Sequence, residues 1–385
     1  MSRSPRHRGL AYAVATVIGG CSLAPLLLTT PAWADADLSQ TTVDVGAAAA
    51  IGAGSEVSAL IGDSAVAAAV QIAATALTTP PAAAKPAVAA AGDSGPSSGW
   101  VSGAAGAEAE DGRFATFRAK PLGVVAVWSD TTEEAQTQLD AVDTYASFNG
   151  EMDIAVGALV RGETWQQAAA GNFVTRWTTA IRNLKAKRAG KGTTYVRIAH
   201  EFNGDWMAWG VNASNLAAYK QGYRLYAGIV RKEFPQAKLT WSPNGGNHNT
   251  LTMDQMYPGG DVVDVIGPDD YDGYPPYTDA SIWNDIVNQW TNAGTPRGLG
   301  AWALYAAKKG KPLAVPEWGM QSGDHPAYIQ GVHDFMIKHA AAKGGRAVVG
   351  KLIYDCYYNV EDKFKLTSGA YPDAAAKYAS LTWGG

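Results

Sequence analysis

The sequence predicts an α/β chain built as a single (β/α)8 barrel, a TIM barrel, preceded by an export signal and a low-complexity linker. Three observations lead there. From Trp100 to the C-terminus, segments rich in β-branched and aromatic residues alternate with segments of helical period. Eight strand candidates fall in that stretch, the number that closes a parallel barrel, and the stretch holds the roughly 250 residues such a barrel commonly occupies. An open doubly wound sheet is the competing arrangement, but it calls for a Gly-rich nucleotide turn, and no GxGxxG follows the early strands.

The first element is a targeting segment over residues 1–34. "MSRSPRHRG" supplies Arg3, Arg6 and Arg8, an apolar run follows, and "PAWADA" offers a small-x-small cleavage site ending at Ala34. Secretion is the expected outcome, with an uncleaved anchor helix or a lipoprotein anchored through Cys21 as alternatives. Cleavage at Ala34 leaves Cys356 as the one cysteine, so export brings no internal disulfide. Residues 35–99 are dominated by Ala, Gly, Ser, Thr and Pro, whose small side chains bury too little area to offset the entropy of ordering. They read as a linker, with a transient Ala-rich helix over Ser64 to Leu77. The catalytic domain is then 100–385. The composition, 47% hydrophobic and 17% charged with a net charge of −4, supports a sizeable core and argues against nucleic acid as a partner. No further apolar run is long enough to span a bilayer, and a soluble monomer is expected after cleavage.

Within the barrel the strands are expected at "WVSGAA" from Trp100, "LGVVAVW" from Leu122, "MDIAVGALV" from Met152, "TTYVRIAH" from Thr193, "AKLTWSP" from Ala237, "VVDVIGPDDY" from Val262, "KPLAVPEWG" from Lys311 and "VVGKLIYDC" from Val348. Helices are expected at "TTEEAQTQLDAVDTYA" with its acidic first turn, at "NFVTRWTTAIRNLKAKR" with its basic last turn, and at "ASNLAAYKQGYRLYAGIVRKEF", opened by Ser214.

A barrel of this kind places reactive groups at the C-terminal ends of its strands. Strand four ends at His200-Glu201, strand six at Asp269-Asp270-Tyr271-Asp272, strand seven at Glu317-Trp318-Gly319 and strand eight at Tyr354-Asp355. Glu201 and Glu317 would face each other across the mouth, as glycoside hydrolysis requires: one carboxyl protonated to assist the leaving oxygen, the other ionised at the anomeric carbon. Trp206 and Trp209 beside Glu201 would raise its pKa by desolvation, while hydrogen bonds from a neighbour such as Tyr271 would hold Glu317 ionised. Thirteen Trp and seventeen Tyr are many for this length, and Trp206, Trp209, Tyr271, Tyr274, Tyr277, Trp318, Tyr354 and Tyr357 all lie in or beside strand-end loops. Sugar faces stack on such rings, and Asn203, Asn244 and Asp269 suit hydroxyls. Trp100, Trp128, Trp177 and Trp241 read as barrel packing.

Other chemistries fit poorly. "HEFNG" lacks the second histidine of HExxH, because position 204 is Gly, and His248, His325, His333 and His339 do not cluster. No GxSxG elbow occurs. Neither a metal nor any cofactor is expected.

"RIAHEFNGDWMAWG", "LTWSPN", "YPGGDVVDVIGPDDYDG" and "KPLAVPEWG", in that order, resemble glycoside hydrolase family 26, whose best-known members are retaining endo-β-mannanases. The resemblance covers Trp100 to Trp383. It implies Glu201 as acid/base, Glu317 as nucleophile, His200 and Trp206 beside the acid/base, Tyr271 as the hydroxyl that bonds the nucleophile, and Trp209 at the cleft edge. Asp272 stands where the family usually has Asn, "IYDC" where a Trp is expected near Tyr354, and Phe202 where Met is usual. The polysaccharide therefore stays open among β-mannan, β-1,3-xylan, mixed-linkage β-glucan and a bacterial exopolysaccharide. A non-catalytic glycan-binding barrel and a transglycosylase on the same scaffold are the alternatives.

Overall fold

A computed structural model describes residues 99–246, 249–273, 275–341, 348–361 and 363–384. The targeting segment with Cys21, the linker up to residue 98 with its Ala-rich helix, and two of the residues weighed above, His248 and Tyr274, lie outside the described residues.

Nine strands form one all-parallel sheet: β1 (Val101–Ala105), β2 (Val124–Ser129), β3 (Glu151–Val156), β4 (Thr194–Ile198), β5 (Lys238–Trp241), β6 (Val265–Ile266), β7 (Asp269–Tyr271), β8 (Leu313–Gly319) and β9 (Leu352–Tyr358). β1 pairs with β9, and β6 pairs with both β5 and β8, so the sheet closes into a barrel. β6 and β7 are halves of a single sixth barrel strand. Gly267 and Pro268 interrupt it, and Pro268 has no N–H to give the ladder. The architecture is thus the eight-stranded (β/α)8 barrel that the strand count predicts.

Parallel strands bury both faces, which is why β1, β3, β4 and β8 carry no exposed residue. The barrel lumen is packed by small and β-branched side chains from the strands, Val101, Ala105, Val124, Ala126, Val265 and Ala314. The outer face packs against helices. Val174–Lys187 and Leu216–Glu233 bring Trp177 and Tyr226 into a stack with ring centroids 4.4 Å apart, worth roughly 1 kcal/mol beyond their burial.

Three local expectations need correction. The helix expected over 131–146 breaks into Glu133–Gln138 and Asp140–Asp143, because Leu139 adopts a left-handed φ of 59°. Ser214 does not cap its helix; its hydroxyl donates to Asn212 Oδ1, and Asn215 is the residue at the helix start. The eighth barrel strand runs on to Tyr358, so Tyr358, rather than Tyr354-Asp355, stands at its mouth end.

Candidate active site

β4 ends at Ile198, and a tight turn follows in which both Ala199 (φ 52°) and Glu201 (φ 51°) are left-handed. Such a conformation costs a non-glycine residue roughly 1–2 kcal/mol, and it clusters where surrounding structure fixes a functional side chain. Here the Glu201 amide donates to Ser242 O at 2.7 Å, tying the turn to the end of the fifth strand. The Glu201 carboxylate then meets two donors: Asn244 Nδ2 to Oε1 at 2.6 Å and the Trp206 indole N–H to Oε2 at 2.7 Å.

Glu317 approaches from β8. The Tyr271 hydroxyl donates to its Oε1 at 2.6 Å, and Arg197 Nη1 donates to its Oε2 at 3.1 Å. Arg197 is fully buried, and the same guanidinium also bonds Asp153 Oδ1 at 2.6 Å and both oxygens of Asp269 at 3.3 Å. Asp153 takes a further bond from the Tyr354 hydroxyl at 2.7 Å. Glu201, Asp269 and Glu317 each present an oxygen to one centre, all within 4.8 Å of one another. That trio is the one group of acidic, His or Cys side chains among the described residues with a spacing suited to a cation, and Arg197 already brings a positive charge to two of its three members.

The electrostatics differ between the two glutamates. Burial lifts the Glu201 carboxyl to about 7 and the charge of Glu317 pushes the same way, against the opposing bonds from Asn244 and Trp206. Glu317 instead meets a guanidinium and a phenol hydroxyl, one on each of its oxygens. Asp269 is pushed well above its usual range, first by burial and then by the Glu317 charge. Burial and the Arg197 charge hold His200 well below its usual range, so its ring is neutral near pH 7 and its 3.6 Å approach to Asp130 is no ion pair.

Of the residues singled out in the sequence, Glu201, Glu317, Trp206 and Tyr271 converge directly. Trp206 is 45% exposed and its ring lies over Gly204, where a Cβ would come within 2.5 Å of the indole. Asn203 is fully buried and donates Nδ2 to the carbonyls of Asn244 and Gly246, so it fixes the loop that carries Asn244 rather than facing the cleft. Trp209 is buried and its indole donates to His200 O at 2.6 Å, which pins the strand-four turn from behind. Trp318 belongs to the barrel exterior, as alternation along a strand requires when Glu317 points inward. Its indole N–H donates to Asp355 Oδ2 at 2.8 Å, opposite the Trp100 indole on Oδ1 at 2.7 Å, so it does not wall the cleft. Tyr354 lies in the lumen, its ring 4.2 Å from that of Tyr195. Asp272 is fully buried, bonded to the Tyr277 amide and to His325 Nδ1 at 2.6 Å, and serves to join two loops.

Arg197 and Asp130 were passed over in the sequence. The signal for Arg197 was a lone charge inside the apolar "YVRIA", and for Asp130 an acid directly after strand two.

Residues 169–297 match the family model of glycosyl hydrolase family 26. A mannan endo-1,4-beta-mannosidase of Bifidobacterium adolescentis is 32% identical over 143 residues, which is 36% of this chain and 13% of that protein. The chain therefore spans about an eighth of the length of that curated relative. Among solved structures, a modular endo-beta-1,4-mannanase from Cellulomonas fimi superposes with a TM-score of 0.51 at 16% identity, covering 74% of this chain and 71% of that one, and shares the fold. A GH26 beta-mannanase from Bacteroides ovatus is also similar, with a TM-score of 0.49 at 16% identity over 74% of this chain and 88% of its own. The matched stretch contains Glu201, Trp206, Asn244, Asp269 and Tyr271, while Glu317 lies beyond it. Over this stretch, about a third of its length, the chain is similar to glycosyl hydrolase family 26.

Proposed function

We propose that the protein is a secreted retaining glycoside hydrolase that cleaves a β-linked, β-mannan-like polysaccharide by double displacement. The observation that carries this reading is the spacing of Glu201 and Glu317. Their nearest oxygens lie within 4.8 Å, close to the roughly 5–5.5 Å between carboxyls of retaining enzymes and well short of the 6.5–9.5 Å that leaves room for an inverting water. Protonated Glu201 donates to the glycosidic oxygen as ionised Glu317 attacks the anomeric carbon. The bond to the leaving sugar breaks, and Glu317 holds the glycosyl group as an ester. Glu201, now ionised, takes a proton from water, and that water displaces Glu317. Arg197 and Tyr271 bond the two oxygens of the nucleophile and keep it aimed. Mannan is favoured over β-1,3-xylan and β-glucan by the activity named for the Bifidobacterium relative.

The test is release of reducing ends by the full-length protein from mannan, galactomannan, β-1,3-xylan and mixed-linkage β-glucan, beside Glu317→Ala. Release from one polymer, lost in the variant, is expected. Equal release by the variant would remove Glu317 from the chemistry, and binding without release on any polymer would make the barrel a glycan-binding module. Export predicts that protein recovered from the medium begins at Asp35, directly after Ala34.

A further inference from the structure

At the mouth of β2 lies a second acid that the double displacement does not use. Asp130 follows the last residue of β2 and is 8% exposed. Its backbone is built into place: Gln136 Nε2 donates to its carbonyl at 3.0 Å, and a Cβ on Gly157 would stand 2.5 Å from that same oxygen. Its carboxyl, by contrast, has no side-chain hydrogen-bond donor among the described residues; beside it are only its own backbone amide and His200 Nδ1 at 3.6 Å. His200 Nδ1 is itself buried without a hydrogen-bond partner. A buried imidazole nitrogen with its bonding capacity unspent, beside a carboxyl whose side chain is 10% exposed, calls for a partner that the protein does not supply.

The surroundings indicate what that partner is. Trp128, next to last in the same strand, is half-buried, and its ring meets Tyr358 edge-on with centroids 5.1 Å apart. The Arg197 guanidinium, which bonds Glu317, lies 5.2 Å from the Trp128 ring, and Tyr358 meets Tyr271, the hydroxyl donor to Glu317, edge-on at 6.0 Å, so this corner adjoins the nucleophile. Burial lifts the Asp130 carboxyl to about 7, so near neutrality it is able to donate as well as accept. Aromatic faces beside unspent hydroxyl-binding groups suit a sugar ring.

We propose that Asp130, with His200, binds a hydroxyl of the sugar that Glu317 attacks, and so determines which glycone the enzyme accepts. This rests on the double-displacement reading above. A site built to hydrogen-bond a hydroxyl rejects analogues that misplace it far more strongly than an apolar pocket does.

The test compares kcat/KM for 2,4-dinitrophenyl β-glycosides of mannobiose, cellobiose and xylobiose in the wild type, Asp130→Asn and Asp130→Ala. Ratios between glycones cancel the fraction of folded protein, so a destabilised variant still reports. The wild type is expected to favour one glycone, and Asp130→Ala to reduce that preference by about tenfold or more, with Asp130→Asn between. A preference unchanged within about twofold in both variants, or a wild type that takes all three equally, would overturn the role of Asp130 alone. A wild type that hydrolyses none would overturn the glycosidase reading and this inference with it.

Discussion

Arg197 precedes Glu201 by four positions in the chain, yet its guanidinium bonds Glu317, at 3.1 Å, and not Glu201. A single strand and the turn that follows it thus carry one glutamate and secure the other at a distance. The charge at its centre is shared among Asp153, Asp269 and Glu317, none of which can reach bulk water easily.

Removing that charge leaves three acids facing one another in the lumen. Arg197→Met is therefore expected to lower stability by about 3–5 kcal/mol, the usual cost of orphaning a buried charge, as read from urea denaturation. A loss under about 1 kcal/mol would mean that the acids take up protons at little cost and that Arg197 is not their main counterion.

In the proposed double displacement Glu201 acts when protonated, so kcat/KM is expected to fall as pH rises through about 7. Trp206→Phe removes a donor that favours the charged form, which moves this limb to higher pH. Gly204→Ala keeps the indole but pushes it off its resting place, and the limb should shift the same way. A limb unmoved by both substitutions would separate Trp206 from the proton on Glu201.

Stability should also depend on pH. Glu201, Asp130 and Asp270 are each lifted to about 7 by burial, so between about pH 4 and 7 the folded chain holds protons that the unfolded chain has lost. The contribution is complete below that window and lost as pH rises through it, and Tm is expected to fall from pH 5 to 7.5. Glu201→Gln should flatten the slope. A Tm that climbs over this range would contradict the assignment.

Cys356 is buried in the lumen with no disulfide partner, and burial raises its thiol well above the usual range. In a chain lacking residues 1–34, Ellman's reagent should find no reactive thiol when native and one after guanidinium unfolding. Fast native reaction would show that the lumen opens.

Much of this was legible before any coordinates. The alternation of strand and helix patterns sets the barrel, and the glutamates announce themselves at the ends of apolar runs. Orientation was harder to read. Trp318 sits beside Glu317 in the chain, but the period-two geometry of a strand sends neighbours to opposite faces, and proximity in sequence concealed this. The sequence puts the strand end at Tyr354-Asp355, whereas the strand continues through buried Asp355, whose two carboxylate oxygens are satisfied by indoles. Asp130 left only a weak signal, an acid directly after strand two, a position that surface acids also occupy.

The interruption of the sixth strand has one more consequence. From Ile266–Leu313 to Asp269–Glu317 one chain advances three residues and its neighbour four, and on the other flank the β8–β9 pairing also shifts between Val315 and Trp318. With Pro268 and Pro316 both unable to donate, the ladder on both sides of Glu317 is irregular. The aim of Glu317 is consequently held by Tyr271 and Arg197 rather than by regular backbone lattice. Substitutions at those two side chains should act like a loosened joint, widening the spread of positions from which the carboxylate attacks while leaving the rest of the scaffold rigid.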